Sequence, residues 1–396
     1  MPKVILGVAG GVAAYKAISL ARLIQDEGYE LTIIPTSSAL NFVGKPTWEA
    51  ISGKPIHANV FEETHRIAHV AEARSADLIV VAPATADLLQ RAVAGAANDM
   101  LTATLLSTTA KVMFFPAMHS EMWEHQATKS NVEALKSRGS FVITPASGSL
   151  ARGDQGIGRL PEPEQILGLI NSFFAKSTIP KDFENQKVLV SLGGTTEAVD
   201  PVRVITNRST GQMGSAICRA LTLRGAQVTA VIANASATIL HDAQIHKVDT
   251  AAQMNEKMLE LQSSHSIIIM AAAVSDFSIT QKSEKIASGS KLSLELEPTE
   301  DVLMNLVSNK SAKQFIVGFA AQTKDVLASA AAKLNRKKCD LLVANLVSES
   351  AGFGPINTEI HLISESSESK SSGEITKDQA AHLILDEITR LRQLSH

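Results

Sequence analysis

The chain has 396 residues, 45% of them hydrophobic, which is enough for two packed domains of ~100–200 residues each. Its net charge is −3 at pH 7, without a block of lysine or arginine, and this argues against a nucleic-acid partner. Two cysteines without a CxxC pair argue against structural zinc and indicate a reducing cytoplasm. No apolar stretch approaches the ~20 residues that span a bilayer, so no membrane segment is expected.

Short apolar runs alternate with helix-patterned stretches along the whole chain. In the first half, strand-like runs lie at 4–9, 30–35, 77–83, 111–116 and 141–145. A polar stretch at 173–187 interrupts this rhythm, and a second series of runs follows at 187–192, 226–233, 266–274, 314–320, 340–347 and 358–365, before a C-terminal helix. Such alternation is typical of parallel sheets covered by helices. It predicts an α/β protein with two doubly wound, Rossmann-like domains at 1–176 and 187–396, joined by a linker at 177–186.

Each predicted domain opens with a strand that runs into glycines and then into a helix, in GVAGGVAAYK (7–16) and LGGTTEAVDP (192–201). Glycines there would let backbone N–H groups approach a phosphate at the start of the helix. A turn that needs positive φ accounts for the glycines equally well. Neither loop is GxGxxG, and neither second strand ends in an acidic residue, which disfavours a dinucleotide and hence a dehydrogenase.

Hydroxyl groups follow the second strand of the first half, where Thr36, Ser37 and Ser38 stand in PTSSA. They suit the terminal phosphate of a mononucleotide, which favours FMN over NAD. The alternative is that these residues cap the next helix.

One histidine stands beyond the fourth predicted strand of the first half, in PAMHSEMW (116–123). Packing within a loop is the simplest interpretation of His119. The alternative is a functional role, because ligands of open α/β sheets bind at the carboxyl ends of the strands.

Several motifs, taken in order, resemble the bifunctional coenzyme A biosynthesis flavoproteins of the CoaBC (Dfp) family. The first half carries GVAGGVAAYK, HVAEARSADLIVVAPATAD (69–87), PAMHSEMW and GSLARGDQGIGRL (148–160). The second half carries GGTTEAVDPVRVITNRSTGQMG (193–214), AAAVSDF (271–277), EKI (284–286), VGFAAQT (317–323) and KKCDLLVAN (337–345). The resemblance implies a phosphopantothenoylcysteine decarboxylase fused to a phosphopantothenate–cysteine ligase.

For the first half, the resemblance implies a flavodoxin-like domain that binds FMN and decarboxylates phosphopantothenoylcysteine. The catalytic histidine falls at His69, with His65 as its rival, and histidine suits a base that works near neutral pH. The implied substrate contacts are His119, Met122, Arg152 and Asp154. The implied FMN contacts are Gly10, Gly11, Val12, Thr36, Ser37, Ser38, Pro83, Ala84 and Thr85.

Two departures from the family pattern affect this half, because His119 replaces the usual Asn and Arg152 the usual Cys. Histidine can still donate a hydrogen bond to a substrate carboxylate. A guanidinium with a pKa above ~12 is a poor proton donor compared with a thiol near ~8.5, so Arg152 cannot take over the role of the Cys. Water or Asp154 could supply that proton. The alternative is an active ligase whose flavin domain is catalytically incomplete and has a binding or regulatory role.

For the second half, the resemblance implies that CTP and Mg2+ activate 4'-phosphopantothenate as an acyl-cytidylate, from which cysteine displaces CMP; ATP remains open as the nucleotide. The implied catalytic residues are Arg203, Asn207 and Lys285, the last in a poorly patterned segment at 278–291. Asp276 is the implied metal ligand, and Gln212 replaces a family Lys, which predicts weaker phosphate affinity. The implied CTP contacts are Gly193, Gly194, Thr195, Ala273, Asp276, Phe277, Phe319, Lys333 and Lys337.

The resemblance also implies an assembly of identical chains. The flavin domains would pack as trimers that share active sites, and the ligase domains would pair as dimers, which together make a dodecamer. The expected partners are otherwise the small-molecule substrates alone.

Overall fold

The computed structural model describes residues 1–59, 68–149, 155–236, 243–287, 292–322, 326–346, 357–365 and 367–394. These residues form two compact units, one up to Leu167 and one from Gly168 onward. None of the described helices is long and apolar enough to cross a membrane.

The first unit is built on a five-stranded parallel sheet of order β2-β1-β3-β4-β5. Its strands are β1 (Lys3–Val8), β2 (Glu30–Pro35), β3 (Leu78–Ala84), β4 (Lys111–Pro116) and β5 (Phe141–Val142). All seven residues of β3 are buried, as expected where helices cover both faces of a parallel sheet. The continuous apolar runs of the sequence therefore correspond to central strands.

Among the described residues of this unit, helices and one hairpin accompany the sheet. The helices are α1 (Lys16–Asp26), α2 (Lys45–Ser52), α3 (Ala68–Ser75), α4 (Ala86–Ala94), α5 (Met100–Ser107), α6 (Ser120–Glu124) and α7 (Gln126–Ser137), with 3-10 turns at Val12–Tyr15 and Ala39–Asn41. The antiparallel hairpin consists of β6 (Ala146–Ser149) and β7 (Gln155–Arg159). The division between the units falls within the next helix, α8 (Pro163–Phe174).

The second unit is built on an eight-stranded sheet of order β12-β11-β8-β13-β16-β17-β18-β19. These strands are β8 (Lys187–Leu192), β11 (Gln227–Ile232), β12 (Gln244–Lys247), β13 (Ile267–Met270), β16 (Phe315–Gln322), β17 (Leu341–Leu346), β18 (Thr358–Ser364) and β19 (Ser367–Ile375). The first six in that order pair in parallel, and β18 and β19 extend the sheet in antiparallel fashion.

In the part of the second unit that the structure describes, five helices and two short hairpins accompany this sheet. The helices are α9 (Gln212–Leu223), α10 (Ala251–Gln262), α11 (Val302–Ser308), α12 (Val326–Lys337) and α13 (Lys377–Leu394). The hairpins are β9 (Thr196–Ala198) with β10 (Val204–Thr206), and β14 (Phe277–Ser278) with β15 (Glu297–Pro298).

The predicted linker lies within the second unit. Phe183 is buried beneath the guanidinium of Arg224, whose carbon lies 5.0 Å from the ring centre. Asp182 and Asp386 both pair with Arg224, so this segment is held against α13. The predicted boundaries at 176 and 187 stay a prediction.

The predicted fold class is confirmed in both halves. In the first sheet the winding reverses between β1 and β3, and in the second it reverses between β8 and β13. Open parallel sheets bind ligands in the crevice beyond the carboxyl ends of the strands at such a reversal. Each unit therefore has one favoured location for a ligand.

Candidate active sites

The first unit has a cavity of about 750 Å3 at the carboxyl ends of β1, β3 and β4, closed on one side by β7. Its lining consists of Gly11, Val12, Ala13, Tyr15, Lys16, Pro83, Thr85, Ala86, Ala117, Met118, His119, Met122, Gly158, Arg159 and Leu160. None of these residues is acidic, whereas Lys16 and Arg159 are basic. The cavity therefore suits an uncharged or anionic ligand with apolar surface.

The first glycine loop borders this cavity, and its glycines do not serve a left-handed turn. Neither Gly10 nor Gly11 has a positive φ, and Gly11 is extended with φ −158°. A Cβ atom on Gly10 would lie 2.4 Å from the Cβ of Ser38, so this glycine allows the chain after β1 to pass close to the end of β2. A Cβ on Gly11 would meet no protein atom closer than 3.6 Å. Gly11 thus leaves open space on the cavity wall.

Six of the residues predicted for the first site line the cavity together: Gly11, Val12, Pro83, Thr85, His119 and Met122. Ala84 is buried in β3. The hydroxyl-bearing segment after β2 does not line the cavity. Thr36 is buried and its Oγ1 accepts the N–H of Ala39 at 3.2 Å, so this side chain serves the following 3-10 turn.

His119 is exposed and immediately precedes α6, where its side chain makes no capping hydrogen bond. The burial expected of a histidine that only packs within the loop is therefore not observed. The side chain is on the cavity wall, beside Met118 and Met122. It can therefore contact a ligand there.

The hairpin of β6 and β7 is attached on both sides of His119. The N–H of Met118 donates to the carbonyl of Gly158 at 3.0 Å, and Oγ of Ser120 donates to the carbonyl of Ile157 at 2.8 Å. A Cβ atom on Gly156 would lie 2.2 Å from Oγ of Ser120, so a side chain there would displace this hydroxyl from its hydrogen bond. The hairpin and the PAMHSEMW segment thus form one wall.

Three further predicted residues are not placed in the cavity. His69 is the second residue of α3, is half-buried, and does not line the cavity of its own chain. Arg152 and Asp154 lie outside the described residues, as does the rival His65. Their predicted roles stay predictions.

The second unit has a cavity of about 410 Å3 at the carboxyl ends of β13 and β16, beside the start of α9. Six predicted residues line it together: Asn207, Ala273, Asp276, Phe319, Lys333 and Lys337. The lining contains further ionisable side chains that the sequence reasoning did not single out: Glu300, Asp301 and Lys377. Acidic and basic groups are thus mixed in this cavity, in contrast to the first.

Two lysines of α12 face the second cavity from positions four residues apart, which places them on one side of the helix. Burial lowers the pKa of Lys333 and of Lys337, although the nearby Asp276 carboxylate acts in the opposite direction. Lys337 also pairs with Asp301. Such partly desolvated ammonium groups interact strongly with a polyphosphate.

Asp276 is exposed at the mouth of this cavity. Among the described residues, no group of three or more His, Cys, Asp or Glu side chains could hold a metal ion. A single carboxylate suits Mg2+ only where substrate phosphates supply further oxygen ligands. Asp276 lines the same cavity as Lys333 and Lys337, whose ammonium groups suit phosphate.

The second glycine loop has a structural role. Gly193 has φ +86°, and a Cβ atom there would lie 2.5 Å from the carbonyl oxygen of Ala233. Thr195 is buried, and its Oγ1 accepts the N–H of Ser275 at 2.8 Å. Gly193, Gly194 and Thr195 do not line the cavity but connect the end of β8 to the ends of its neighbours. Here the turn interpretation of the glycines holds.

Asn207 and Arg203 are held in different ways. Nδ2 of Asn207 donates to the carbonyls of Ala273 and Val274, at 3.3 and 3.0 Å, which fixes the amide against the chain beyond β13. Arg203 does not line the cavity. Its Nη1 pairs with Oδ2 of Asp200 at 2.5 Å and donates to the carbonyl of Ile286 at 3.1 Å.

Asp200 ties the segment that carries Lys285 to the β9–β10 hairpin. Its buried carboxylate accepts the N–H groups of Val202, Arg203 and Ile286, at 2.8, 2.8 and 3.1 Å. Burial alone would raise the pKa of Asp200, but these N–H groups and Arg203 lower it to about 2. Lys285 itself is exposed and does not line the cavity. Phe277 in β14 is likewise exposed and does not line it. Lys285 is thus next to a fixed point of the chain.

Some of the cavity residues that sequence reasoning missed were within its reach, and others were not. Tyr15, Lys16 and Arg159 lie inside the GVAGGVAAYK and GSLARGDQGIGRL motifs, and their signal is a charged or aromatic side chain near the strand end. Glu300, Asp301 and Lys377 lie outside every motif. Only the folded chain brings those three to the second cavity.

The comparisons with known proteins match both halves. Residues 1–175 match the family described as Flavoprotein, and residues 183–391 match the family described as DNA/pantothenate metabolism flavoprotein C-terminal domain. Among solved structures, the C-terminal domain of a coenzyme A biosynthesis bifunctional protein CoaBC covers 54% of this chain and 98% of its own, with 28% identity and a TM-score of 0.47.

Curated relatives match nearly end to end. The coenzyme A biosynthesis bifunctional protein CoaBC of Mycolicibacterium smegmatis is 43% identical over 401 residues, which cover 98% of this chain and 97% of the relative. The protein of the same description from Vibrio vulnificus is 38% identical over 367 residues, which cover 91% and 90%. Because these matches extend through both halves, the chain belongs to the family of coenzyme A biosynthesis bifunctional proteins CoaBC.

Proposed function

We propose that the chain catalyses two consecutive reactions of coenzyme A biosynthesis. The second unit ligates 4'-phosphopantothenate with cysteine at the expense of CTP, and the first decarboxylates the product, phosphopantothenoylcysteine, to 4'-phosphopantetheine. The observation that carries this proposal is the convergence of residues from separate family motifs on two cavities, each at the winding reversal of its sheet. Membership of the CoaBC family supports both reactions.

The first cavity suits FMN. Gly11 leaves open space on the wall, and Val12, Pro83 and Thr85 offer apolar surface and backbone groups to a flat ring system. When bound, FMN supplies the electron sink for oxidation of the cysteinyl group and returns the hydride after loss of CO2. The winding order β2-β1-β3-β4-β5 is that of flavodoxin-like sheets, which bind FMN at this reversal.

The residues of the chain position the substrate and move its protons. His119, exposed on the wall, donates a hydrogen bond to the substrate carboxylate, more strongly when protonated. His69 takes the proton of the substrate thiol, which requires that α3 of another copy bring this histidine to the cavity. The later proton transfer falls to water or to Asp154, because an Arg152 guanidinium is a poor acid.

The second cavity activates the carboxylate of phosphopantothenate. Lys333 and Lys337 bind the phosphates of CTP, and Asp276 holds Mg2+ together with those phosphates. The bound cation neutralises negative charge on the nucleotide. Lys285 reaches in from the adjoining segment to stabilise the transferring phosphate, and Asn207 contacts the acyl-cytidylate.

Both reactions fit an assembly of identical chains, with trimeric flavin domains and paired ligase domains in a dodecamer. Val12, Tyr15 and Met122 are 62%, 59% and 49% exposed at the first cavity, although large apolar side chains are usually buried. A neighbouring copy that covers them would also supply His69. Mass photometry of the purified protein tests this assembly, and a monomer would contradict it.

Absorbance and pyrophosphate release test the proposed function together. The purified protein should be yellow and release pyrophosphate in the presence of phosphopantothenate, Mg2+ and nucleotide, faster with CTP than with ATP. A colourless protein that binds NAD(P)H would instead indicate a dehydrogenase. A yellow ligase that forms no phosphopantetheine would leave the flavin domain a binding or regulatory role.

A further inference from the structure

The wall of the first cavity carries a charged cluster that the proposed reaction does not use. Nζ of Lys16 and Nη2 of Arg159 donate to the same oxygen, Oε1 of Glu162, each at 2.8 Å. Lys16 and Arg159 line the cavity, whereas Glu162 stands behind them. Two positive charges thus share one negative charge, and one net positive charge remains at the wall.

This charge is not cancelled within the described lining. Among the described lining residues none is acidic, and His119 is a further side chain there that can become positive. The side chain of Lys16 is only 14% exposed, so water and salt screen its charge less than a charge on an open surface. The described part of the cavity is therefore electropositive.

The geometry suits one tetrahedral anion. Both nitrogens lie 2.8 Å from a single oxygen, so one phosphate group can contact both cations. The bond to Glu162 uses one of the five N–H donors of the guanidinium, and the remaining donors can form the two-pronged contact that arginine makes with phosphate. Glu162 holds both side chains in place before a ligand arrives.

The cluster belongs to the wall that carries the proposed carboxylate partner. Gly148 has φ +150°, and a Cβ atom there would lie 2.9 Å from Nη1 of Arg159, so this glycine makes room for the guanidinium. Arg159 follows Gly158, whose carbonyl accepts the N–H of Met118, the residue before His119. Lys16 and Arg159 thus belong to the same wall as His119.

We infer that Lys16 and Arg159 bind the phosphate group of phosphopantothenoylcysteine and make the decarboxylase site selective for phosphorylated substrate. The inference rests on the proposed function and adds to it the group that recognises the end of the substrate remote from the reacting cysteine. A phosphate dianion has two negative charges for these cations, whereas the unphosphorylated compound has only a hydroxyl in that place.

The test is stopped-flow bleaching of bound FMN by phosphopantothenoylcysteine and by pantothenoylcysteine. Lys16→Gln and Arg159→Gln should each raise the half-saturating concentration of the phosphorylated compound by about 10- to 100-fold, the expected effect of one charge-assisted contact. Values for the unphosphorylated compound and the affinity for FMN, measured by fluorescence quenching, should stay unchanged.

Lys129→Gln is the matched control, because Lys129 pairs with Glu124 at 2.9 Å and does not line the cavity. An equal loss of affinity for the phosphorylated and the unphosphorylated compound would overturn the inference. It would show that Lys16 and Arg159 serve packing or bind the substrate carboxylate. Weaker FMN binding by the variants would overturn the inference, because it would show that the two cations bind the flavin phosphate. A parent protein that neither compound bleaches would remove the proposed decarboxylation and the inference with it.

Discussion

The two cavities occupy the same place in two similarly wound sheets, yet their walls differ. The first is larger, about 750 against 410 Å3, and its described lining combines apolar side chains with basic groups and no acid. The second combines three lysines with three carboxylates, Asp276, Glu300 and Asp301. One sheet architecture thus supports two electrostatic environments.

The difference matches the division of labour in the two proposed reactions. Where a bound flavin performs the redox step, the protein needs apolar surface, anion recognition and a few proton-transfer groups. Where a phosphate is transferred without a redox cofactor, the protein supplies charge neutralisation through lysines and a metal. The two sites should therefore respond independently to substitution.

His69→Asn is expected to have the largest effect. Loss of a general base typically slows a reaction by about 10²- to 10⁴-fold, so CO2 release should fall by that factor while CTP-dependent pyrophosphate release continues. His125→Asn is the matched control, because His125 caps α7 and asparagine is also a good cap. A folded His69→Asn variant that loses both activities equally would contradict the independence of the two sites.

Lys285→Gln should slow pyrophosphate release by about 10²-fold or more, because a positioned charge on a transferring phosphate is lost. Flavin bleaching by phosphopantothenoylcysteine should keep its normal rate. Lys282→Gln in the same segment is the control, since this exposed residue is held by its backbone N–H to the carbonyl of Val199 at 3.0 Å. Unchanged pyrophosphate release would remove Lys285 from the site.

Replacement of His119 distinguishes hydrogen-bond donation from packing. His119→Asn keeps a donor and should retain much of the flavin-reducing rate. His119→Leu leaves the substrate carboxylate unpaired, which costs roughly 1–3 kcal/mol, or about one to two orders of magnitude in rate. Stopped-flow bleaching of bound FMN measures both variants. Full-speed bleaching by the Leu variant would exclude His119 as the carboxylate partner.

Asp200→Asn should slow pyrophosphate release by about tenfold, because an amide oxygen accepts fewer of the N–H groups that fix Ile286 beside Lys285. The double variant with Lys285→Gln should be no slower than Lys285→Gln alone, since Asp200 is expected to act through that lysine. Additive losses in the double variant would show that Asp200 acts independently of Lys285.

Replacement of His382 in α13 should have the smallest effect. It should change how the stability of the second unit depends on pH. Burial lowers its pKa below the ordinary 6.5, although the bond to the carbonyl of Ser172 opposes this shift. As the pH falls below 6.5, His382 therefore binds a proton in the unfolded chain but not in the folded chain, and the folded state loses stability.

His382→Gln should reduce this acid sensitivity. Glutamine can donate to the same carbonyl but does not titrate. The fall in melting temperature between about pH 7.5 and about pH 5.5 should be smaller in the variant than in the parent, as measured by circular dichroism. An identical fall in both proteins would assign the acid sensitivity to other groups, such as His265, whose pKa burial also lowers.

The sequence predicted those parts of the fold in which a local pattern reflects burial. Strands covered on both faces, such as β3 and β8, appear as continuous apolar runs. The strand β19 (Ser367–Ile375) was missed, because its polar residues carry no apolar pattern. The β9–β10 hairpin was missed because its strands have only three residues each and Val204 is exposed.

The residues of the two candidate sites likewise divide into those that the sequence could predict and those that it could not. Motif residues such as Asn207 and Thr85 could be predicted because a family pattern names them. Lys377 and Asp301 could not, because they reach the second cavity from the starts of α13 and α11, far along the chain from Asp276. Such convergence is a property of the packed sheet and its helices, and short-range periodicity does not encode it.

The most direct test of two independent sites in one chain is to mix two inactivated variants. Neither His69→Asn nor Lys285→Gln should by itself convert phosphopantothenate, cysteine and CTP into phosphopantetheine at an appreciable rate. Separately purified and then mixed, they should form it, because the first supplies phosphopantothenoylcysteine to the second. Product analysis by mass spectrometry that finds no phosphopantetheine in the mixture, with both variants folded, would contradict the account.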